Sequence, residues 1–275
     1  MRHTSAQAPS VVDRVLDVLA AFTPERPALT LSELSRRTGL PLSTTHRIVG
    51  ELARRGALER QDDGQYRVGL WLWEVASLSP RGLVLRDAAM PFLEDLYEAT
   101  HENVQLAVLD VPDVVYVERI SGRNAVSIVS RPGGRLAAHA TGVGLVLLAH
   151  APAEVQEQVL AAPLRRYTPK TITAADALRR VLADVRRDGY VISDRQVEMV
   201  SLSVAAPVYG PEDAVVAAIS IVIPAAGPDP RSMVPAVRAA PLGISRALGA
   251  PRALRHPSCG LFPYPHLPLP PNREV

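Results

Sequence analysis

The clearest chemistry in this sequence lies in four polar side chains within five residues: Ser43, Thr44, His46 and Arg47. If residues 41–54 form a helix, these side chains share one face. The opposite face is then small or apolar and consists of Thr45, Ile48, Val49 and Leu52. Hydroxyls, an imidazole and a guanidinium near a helix N-terminus can bond to phosphates and base edges in a major groove. This face predicts DNA recognition, and a solvated surface helix is the plainer alternative.

The elements that must hold this face are two short helices around a glycine turn. Gly39 ends the first helix, and Pro41 suits the first turn of the second. Upstream, a supporting helix begins at Ser10, where Asp13 can complete a capping box. Its predicted buried side is Val11, Val12, Val15, Val18, Leu19 and Phe22.

A polar hairpin is predicted to follow the second helix. Residues 57–60 and 65–68 are its strands, and Asp62-Asp63-Gly64 is a turn signal between them. Arg60 and Arg67 flank this wing, where they could meet phosphates. Three helices followed by a hairpin predict a winged helix-turn-helix, and hence a DNA-binding regulator.

A linker helix over residues 70–82 is expected next, with Trp71 and Trp73 buried against either their own domain or another subunit. A further helix carries Pro91 as a predicted kink, and its buried side is Val84, Leu85, Ala88, Phe92, Leu93 and Leu96. The remaining pattern predicts a mixed α/β domain. Its strands are expected at 104–108, 114–120, 125–130, 191–194, 204–209 and 215–223. Its helices are expected at 141–150, 153–161, 174–188 and 230–248, the last one kinked or split at Pro241.

Small residues at 140–144 precede the apolar helical run 145–148. Free N–H groups at such a helix start could hold a carboxylate or phosphate, whereas the alternative is a tight turn that needs glycine for packing. A dinucleotide-binding GxGxxG reading fails, because Leu147 occupies the third glycine position.

The chain resembles the IclR family of bacterial transcriptional regulators over roughly residues 10–249. The matching segments are GLPLSTTHRIVGEL, ERQDDGQYRVG, LRDAAMPFLEDLYEATHENVQLAVLD, RLAAHATGVGLVLLAH, DGYVISD, SVAAPV and VVAAISI. The resemblance implies an α+β protein, in which a winged helix-turn-helix (1–69) and a linker helix (70–82) precede a GAF-like effector-binding domain (83–249). It also implies a homodimer, which in this family can pair into a tetramer.

The resemblance further implies a ligand pocket. Main-chain N–H groups of Gly142 and Val143 would hold a carboxylate, and the other contacts would come from Ile128, Ser193, Ser203, Ser220 and Val222. The family commonly has an acid at Ser193 and a serine at Val222. Asp194 is a candidate substitute for that acid, although adjacent strand residues face opposite ways. The expected effector is a small organic acid.

Composition sets the remaining expectations. No apolar run reaches the roughly 20 residues of a membrane span, and no signal peptide is evident, so a cytoplasmic protein is expected. Lone Cys259 permits neither an intrachain disulfide nor a cysteine-based zinc site, and no metal or cofactor is expected. Residues 250–275 are proline-rich and expected to be disordered.

Enzyme motifs are missing from the sequence: it has no GxSxG elbow, no HExxH and no histidine pair at i, i+4 spacing. The sequence therefore favours a regulator, a repressor more than an activator, that binds operator DNA and an organic acid. The alternatives are a sensor that no longer binds DNA and, far behind, a small-molecule hydrolase.

Overall fold

The computed structural model describes residues 9–122 and 125–254. The chain divides into two compact units between Leu83 and Val84. Within the described ranges, no helix has both the length and the apolar character needed to cross a membrane.

Within the described residues, the first unit contains four helices and a small antiparallel sheet. Its helices are α1 (Val11–Ala20), α2 (Leu31–Thr38), α3 (Leu42–Arg54) and α4 (Leu70–Ser77). Its strands are β1 (Ala28–Leu29), β2 (Leu58–Arg60) and β3 (Tyr66–Val68), and they pair in the order β1-β3-β2. The predicted hairpin is β2 and β3. The sequence pattern missed β1, because two residues are too few to show a period.

Capping fixes where the first helices begin. The Ser10 hydroxyl accepts from Asp13 N–H, and the Asp13 carboxylate accepts from Ser10 N–H, as predicted. Thr30 and Glu33 form a second capping box at the start of α2, and their hydrogen bonds hold the pKa of Glu33 below its ordinary value. Gly39 ends α2 in the left-handed conformation, at φ 70°.

One part of the predicted core is wrong. Val11 and Val12 are exposed, at 56% and 65%, because the buried stripe of α1 lies toward its C-terminal end. Val18 and Ala21 are buried there, and Val15, Leu19 and Phe22 pack partly against the core. The centre of this unit is formed by Leu29, Leu34, Ile48, Val49, Leu58 and Tyr66.

The second unit is a six-stranded antiparallel sheet in the order β6-β5-β4-β9-β8-β7. The strands are β4 (Asn103–Asp110), β5 (Asp113–Ile120), β6 (Arg135–Ala137), β7 (Val191–Asp194), β8 (Ser201–Tyr209) and β9 (Val215–Pro224). The helices are α5 (Leu85–Thr100), α6 (Gly142–His150), α7 (Ala153–Ala161), α8 (Ala175–Asp188), α9 (Val234–Ala247) and α10 (Pro251–Leu254). A π-helical turn, Pro80–Val84, precedes α5, and 3-10 turns precede α6 and α9.

Each face of this sheet has its own core. α6, α7 and α8 pack over one face, and α5 and α9 pack over the other. The central strand β4 is therefore buried on both sides along most of its length.

Several details of the second unit differ from the sequence expectation. Residues 125–130 form a loop rather than a strand, and β6 follows it instead. Val84 is exposed, and Ala89 rather than Ala88 is the fully buried alanine of α5. The described start of the proline-rich tail is helical, as α10, whereas the rest of the predicted disordered segment lies outside the described residues.

The helix predicted for 230–248 is a 3-10 turn, Pro230–Met233, followed by α9, which is not split at Pro241. The Ser245 hydroxyl donates to Pro241 O at 2.6 Å and accepts from Tyr209 N–H at 2.9 Å, which attaches this part of α9 to the end of β8. Pro241 is buried and packs as part of the helix. α5 likewise continues through Pro91.

Candidate functional site

The first candidate site is the exposed face of α3. Ser43, His46 and Arg47 are exposed and Thr44 is half-buried, whereas Thr45 on the opposite face is buried and donates to Pro41 O at 3.1 Å. No side chain caps the N-terminus of α3, so its first-turn N–H groups remain available to a phosphate. The structure thus brings the four predicted DNA-contacting side chains together beside an open helix terminus.

The wing places its two arginines differently. The Arg67 guanidinium donates to Glu59 at 2.9 Å, and the Glu59 carboxylate also accepts from Leu70 N–H at 3.2 Å, where α4 begins. The hydrogen bond from Arg67 is the main cause that lowers the pKa of Glu59. Arg60 is exposed and forms no ion pair within the described residues. Arg60 is therefore the more available phosphate contact of the two.

The linker helix α4 has no buried residue. Trp73 is 59% exposed, and Leu70, Trp71, Val75 and Leu78 are exposed as well. Neither tryptophan completes its burial within the described chain, so a large apolar surface stays open along this helix.

The second candidate site is a cavity on the α6 side of the large sheet. It encloses about 440 Å³, counting the part that opens to solvent. Its walls are the first turn of α6, the ends of β4, β7, β8 and β9, the loop 125–131 and the segment 196–201.

Two register rows of the sheet form the floor of the cavity. Ser193, Ser203 and Val222 are directly opposite one another on β7, β8 and β9. In the neighbouring row, Ser220 on β9 is opposite Gln105 on β4. Residues two apart on a strand share a face, so the two rows point the same way, toward the cavity.

The first turn of α6 presents backbone donors to this cavity. Thr141 caps the helix by accepting the N–H of Gly144 at 3.1 Å. Among the described residues, the N–H groups of Gly142 and Val143 have no hydrogen-bond partner. Gly142 lies so close to β8 that an added Cβ would be 2.6 Å from Ser203 Oγ. The positive end of the helix dipole and two free donors therefore meet a buried polar floor.

Two polar side chains near this turn, Tyr116 and Ser193, have a defined ionisation or hydrogen-bonding state. Burial raises the pKa of the Tyr116 hydroxyl above its ordinary value, while a hydrogen bond with Thr141 opposes this shift. Tyr116 therefore stays neutral at physiological pH. Ser193 lines the cavity, and its hydroxyl forms no hydrogen bond with the part of the chain that the structure describes, so it is available to a ligand.

The loop 125–131 covers the cavity and is attached to the rest of the domain by side chains. Asn103 Nδ2 donates to Val126 O at 2.8 Å, and Arg119 Nη1 donates to Ser130 O at 2.6 Å. Across the cavity, Val129 N–H donates to Glu198 Oε2 at 3.3 Å. Together with a bond between Gln105 Nε2 and Ser130 Oγ, these side-chain hydrogen bonds attach the loop in place of strand pairing.

The cavity gathers most of the predicted effector residues: Ile128, Gly142, Val143, Ser193, Ser203, Ser220 and Val222. Asp194 does not line it. Its carboxylate accepts from Arg195 at 2.6 Å and from Lys170 at 3.1 Å, and the Arg195 hydrogen bond is the main cause that lowers its pKa. The alternation of a strand explains this, because Ser193 faces the cavity and the next residue must face away.

Sequence reasoning missed other lining residues: Gln105, Tyr116, Ser130, Thr141 and Glu198. One signal was available, since Gln105 is an amide in the otherwise apolar core of a strand, VQLAVL. Such an isolated polar residue at a buried position needs a hydrogen-bonding role.

Two histidines of the second unit bond to the backbone. His139 Nε2 lies 3.0 Å from Arg165 O, and His150 Nδ1 lies 2.9 Å from Val146 O. Over the described ranges, the structure contains no group of three or more His, Cys, Asp or Glu that could hold a metal ion.

Comparison with known proteins gives a consistent picture. The model of the IclR helix-turn-helix domain matches residues 11–62, and that of the bacterial transcriptional regulator IclR C-terminal domain matches residues 80–246. A solved IclR homolog from Microbacterium hydrocarbonoxydans, complexed with 4-hydroxybenzoate, is 43% identical, with a TM-score of 0.83, covering 87% of this chain and 99% of that chain.

Two curated relatives are similar over most of their length. The HTH-type transcriptional regulator XynR of Escherichia coli is 31% identical over 245 residues, which cover 87% of this chain and 97% of that protein. The HTH-type transcriptional repressor AllR of Klebsiella pneumoniae is 30% identical, covering 86% of this chain and 89% of that protein.

Proposed function

Because the chain belongs to the IclR family of bacterial transcriptional regulators, we propose that it is a repressor whose operator binding responds to a small aromatic carboxylic acid. The family consists of DNA-binding regulators rather than enzymes. Beyond membership of the family, we propose repression as the direction of regulation, an aromatic acid as the effector, and the residues that contact DNA and the effector. The direction is supported by the relative from Klebsiella pneumoniae, which is a repressor.

On the DNA side, α3 enters the major groove, with Ser43, Thr44, His46 and Arg47 facing it. Arg47 is the strongest candidate for a base or phosphate contact, because a guanidinium can donate two hydrogen bonds to guanine or to a phosphate. Arg60 contacts the backbone from the wing. Arg67 contributes less, since Glu59 neutralises it.

On the effector side, the carboxylate accepts from the N–H groups of Gly142 and Val143, and Ser193 and Ser203 supply further hydroxyl donors. The ring of the ligand packs on Ile128 and Val222. The observation that carries this assignment is the pair of unpartnered N–H groups at the α6 turn, beside a cavity that Ser193 and Ser203 also line. The 4-hydroxybenzoate bound by the Microbacterium homolog supports the aromatic class.

The protein works in the cytoplasm as a homodimer, and two dimers can form a tetramer. The exposed apolar side of α4 is the surface that supports subunit pairing. A dimer would read two half-sites whose spacing follows its symmetry. The acid then acts by binding one arrangement of the DNA-binding domains more tightly than another.

The decisive experiment is a gel shift with DNA from upstream of the protein's own and neighbouring genes, at stated salt and with nonspecific competitor. A specific complex is expected, and 4-hydroxybenzoate should change its affinity. Arg47→Ala should weaken the complex at least about tenfold, as expected for loss of one bidentate contact. Arg180→Ala, on the exposed surface of α8, is the matched control and should bind normally.

Two outcomes would contradict this proposal. Unchanged DNA binding by Arg47→Ala would remove α3 as the recognition helix. Absence of any specific complex, with or without acid, would instead favour a sensor that no longer binds DNA.

A further inference from the structure

The floor of the effector cavity contains a hydrogen-bonded series of side chains that the carboxylate site does not use. Ser220 Oγ donates to Gln105 Oε1 at 3.2 Å, and Gln105 Nε2 donates to Ser130 Oγ at 2.5 Å. All three residues are buried, with Gln105 only 3% and Ser130 only 4% exposed. All three also line the cavity.

Gln105 links the two serines, and Ser130 is the end of the series on the covering loop. A hydroxyl has one proton to donate and two lone pairs that can accept, so the single hydrogen bond with Gln105 leaves Ser130 able to bond to a ligand. Because a buried polar group is stabilised by each further partner, the structure favours a ligand that supplies one.

Ser130 is also fixed in place. Arg119 holds its carbonyl oxygen at 2.6 Å, so the residue is anchored through its backbone as well as through Gln105. A donor that is already oriented loses little conformational entropy when a ligand binds, which makes it suited to selecting among ligands.

The distance from the carboxylate site suits a one-ring ligand. The α6 turn stands over β8, since a Cβ added to Gly142 would be 3.4 Å from Ala205 Cβ. Ala205 is opposite Ser220, and Ser220 is opposite Gln105, so Gln105 lies two strands away in the same row. At roughly 4.8 Å per strand this is about 10 Å, enough to place a ring between the two polar regions.

We infer that Ser130, oriented by Gln105 and Ser220, is a specificity-determining residue that selects aromatic acids bearing a hydrogen-bonding group on the ring, remote from the carboxylate. This inference rests on the proposed function for the carboxylate end. Ser130 contacts the ligand, and Gln105 and Ser220 are positioning residues. An acid of the same size without that group leaves the Ser130 hydroxyl with no partner from the ligand.

The test is titration calorimetry of the full chain with two acids of similar size, 4-hydroxybenzoate and 4-methylbenzoate. Wild type should bind 4-hydroxybenzoate at least about tenfold more tightly, because the methyl group cannot form a hydrogen bond with Ser130. Ser130→Ala should remove most of this preference while leaving the affinity for 4-methylbenzoate within about threefold of wild type. Gln105→Leu should reduce the preference in the same direction.

Ser127→Ala is the matched control, because Ser127 is on the same loop but is exposed and does not line the cavity. It should keep the wild-type preference. The anchors to Val126 O and Ser130 O use backbone atoms, so they survive in Ser130→Ala.

The results separate this inference from the proposed function. If wild type binds both acids equally, or if Ser130→Ala weakens both alike, the inference is overturned and the carboxylate site stands. If wild type binds neither acid, the proposed aromatic effector is rejected and the inference with it.

Discussion

The same substitution at two glycines of the α6 turn should have very different effects on stability. A Cβ at Gly144 would lie 2.5 Å from both Ala138 Cα and Thr141 Oγ1, and closer still to Ala138 O. Backbone atoms of the preceding 3-10 turn cannot move aside without shifting the chain. A Cβ at Gly142 would instead meet chiefly one hydroxyl, Ser203 Oγ, at 2.6 Å.

The expected loss in the free energy of unfolding depends on which atoms each new Cβ would displace. Gly144→Ala adds overpacking of about 1–3 kcal/mol and disturbs the Thr141 cap, worth about 1 kcal/mol, so the free energy of unfolding should fall by about 2–4 kcal/mol. Gly142→Ala requires only that the Ser203 side chain leave its rotamer, at about 0.5–1.5 kcal/mol. The better helix propensity of alanine offsets up to about 1 kcal/mol at either position, which leaves a clear net loss only at Gly144.

Urea unfolding followed by far-UV circular dichroism measures both effects as midpoint shifts at constant slope. Gly144→Ala should lower the midpoint clearly, and Gly142→Ala should shift it little. In a Ser203→Ala background the obstructing hydroxyl is gone, so Gly142→Ala should become neutral or stabilising. Equal losses for the two glycines, or no coupling between Gly142 and Ser203, would refute the close approach of α6 to β8.

The remaining predictions concern charge. Glu198 lines the same cavity as the proposed carboxylate site, so its negative charge should repel the carboxylate of the ligand. Calorimetry should therefore show that Glu198→Gln binds 4-hydroxybenzoate severalfold more tightly at low salt, and that the gain is smaller at high salt. Weaker binding would mean that Glu198 contacts the ligand favourably. The lowered pKa of Glu33 means that its capping interaction contributes stability fully above its ordinary pKa of 4.5 and loses it as the pH falls through the folded-state value. Thr30→Ala should remove that part of the acid dependence, and an unchanged pH profile of stability would show that the capping box contributes nothing.

Local signals made the first unit largely predictable. Gly39 ends α2 because it adopts a positive φ, and the Ser10–Asp13 capping box needs only four consecutive residues. The recognition face of α3 follows from a single helical period. The prediction that Val11 and Val12 are buried is wrong, because periodicity shows which side of a helix is apolar. It does not show how far along the helix the neighbouring core extends.

The cavity was predictable only in part, since its residues meet through tertiary contacts. The pattern of residues 125–130 alternates like a strand, yet Asn103 and Gln105 hold that segment across 23 and 25 residues of sequence, and no strand pairs with it. No local pattern contains that information. Strand alternation places Ser193 and Asp194 on opposite faces of the sheet, and the pairing of Ser193 with Ser203 shows that Ser193 is the one that faces the cavity.

The covering loop has a consequence for how this scaffold could be changed. Asn103 and Arg119 on the sheet donate hydrogen bonds to backbone carbonyls of the loop. These hydrogen bonds do not depend on which side chains the loop carries. Substitutions at Ile128 and Val129 therefore alter the lining of the cavity without changing the register of any strand. A designer of biosensors could diversify these two positions as a library while keeping the α6 turn constant, and would sample new ligand shapes on an unchanged frame.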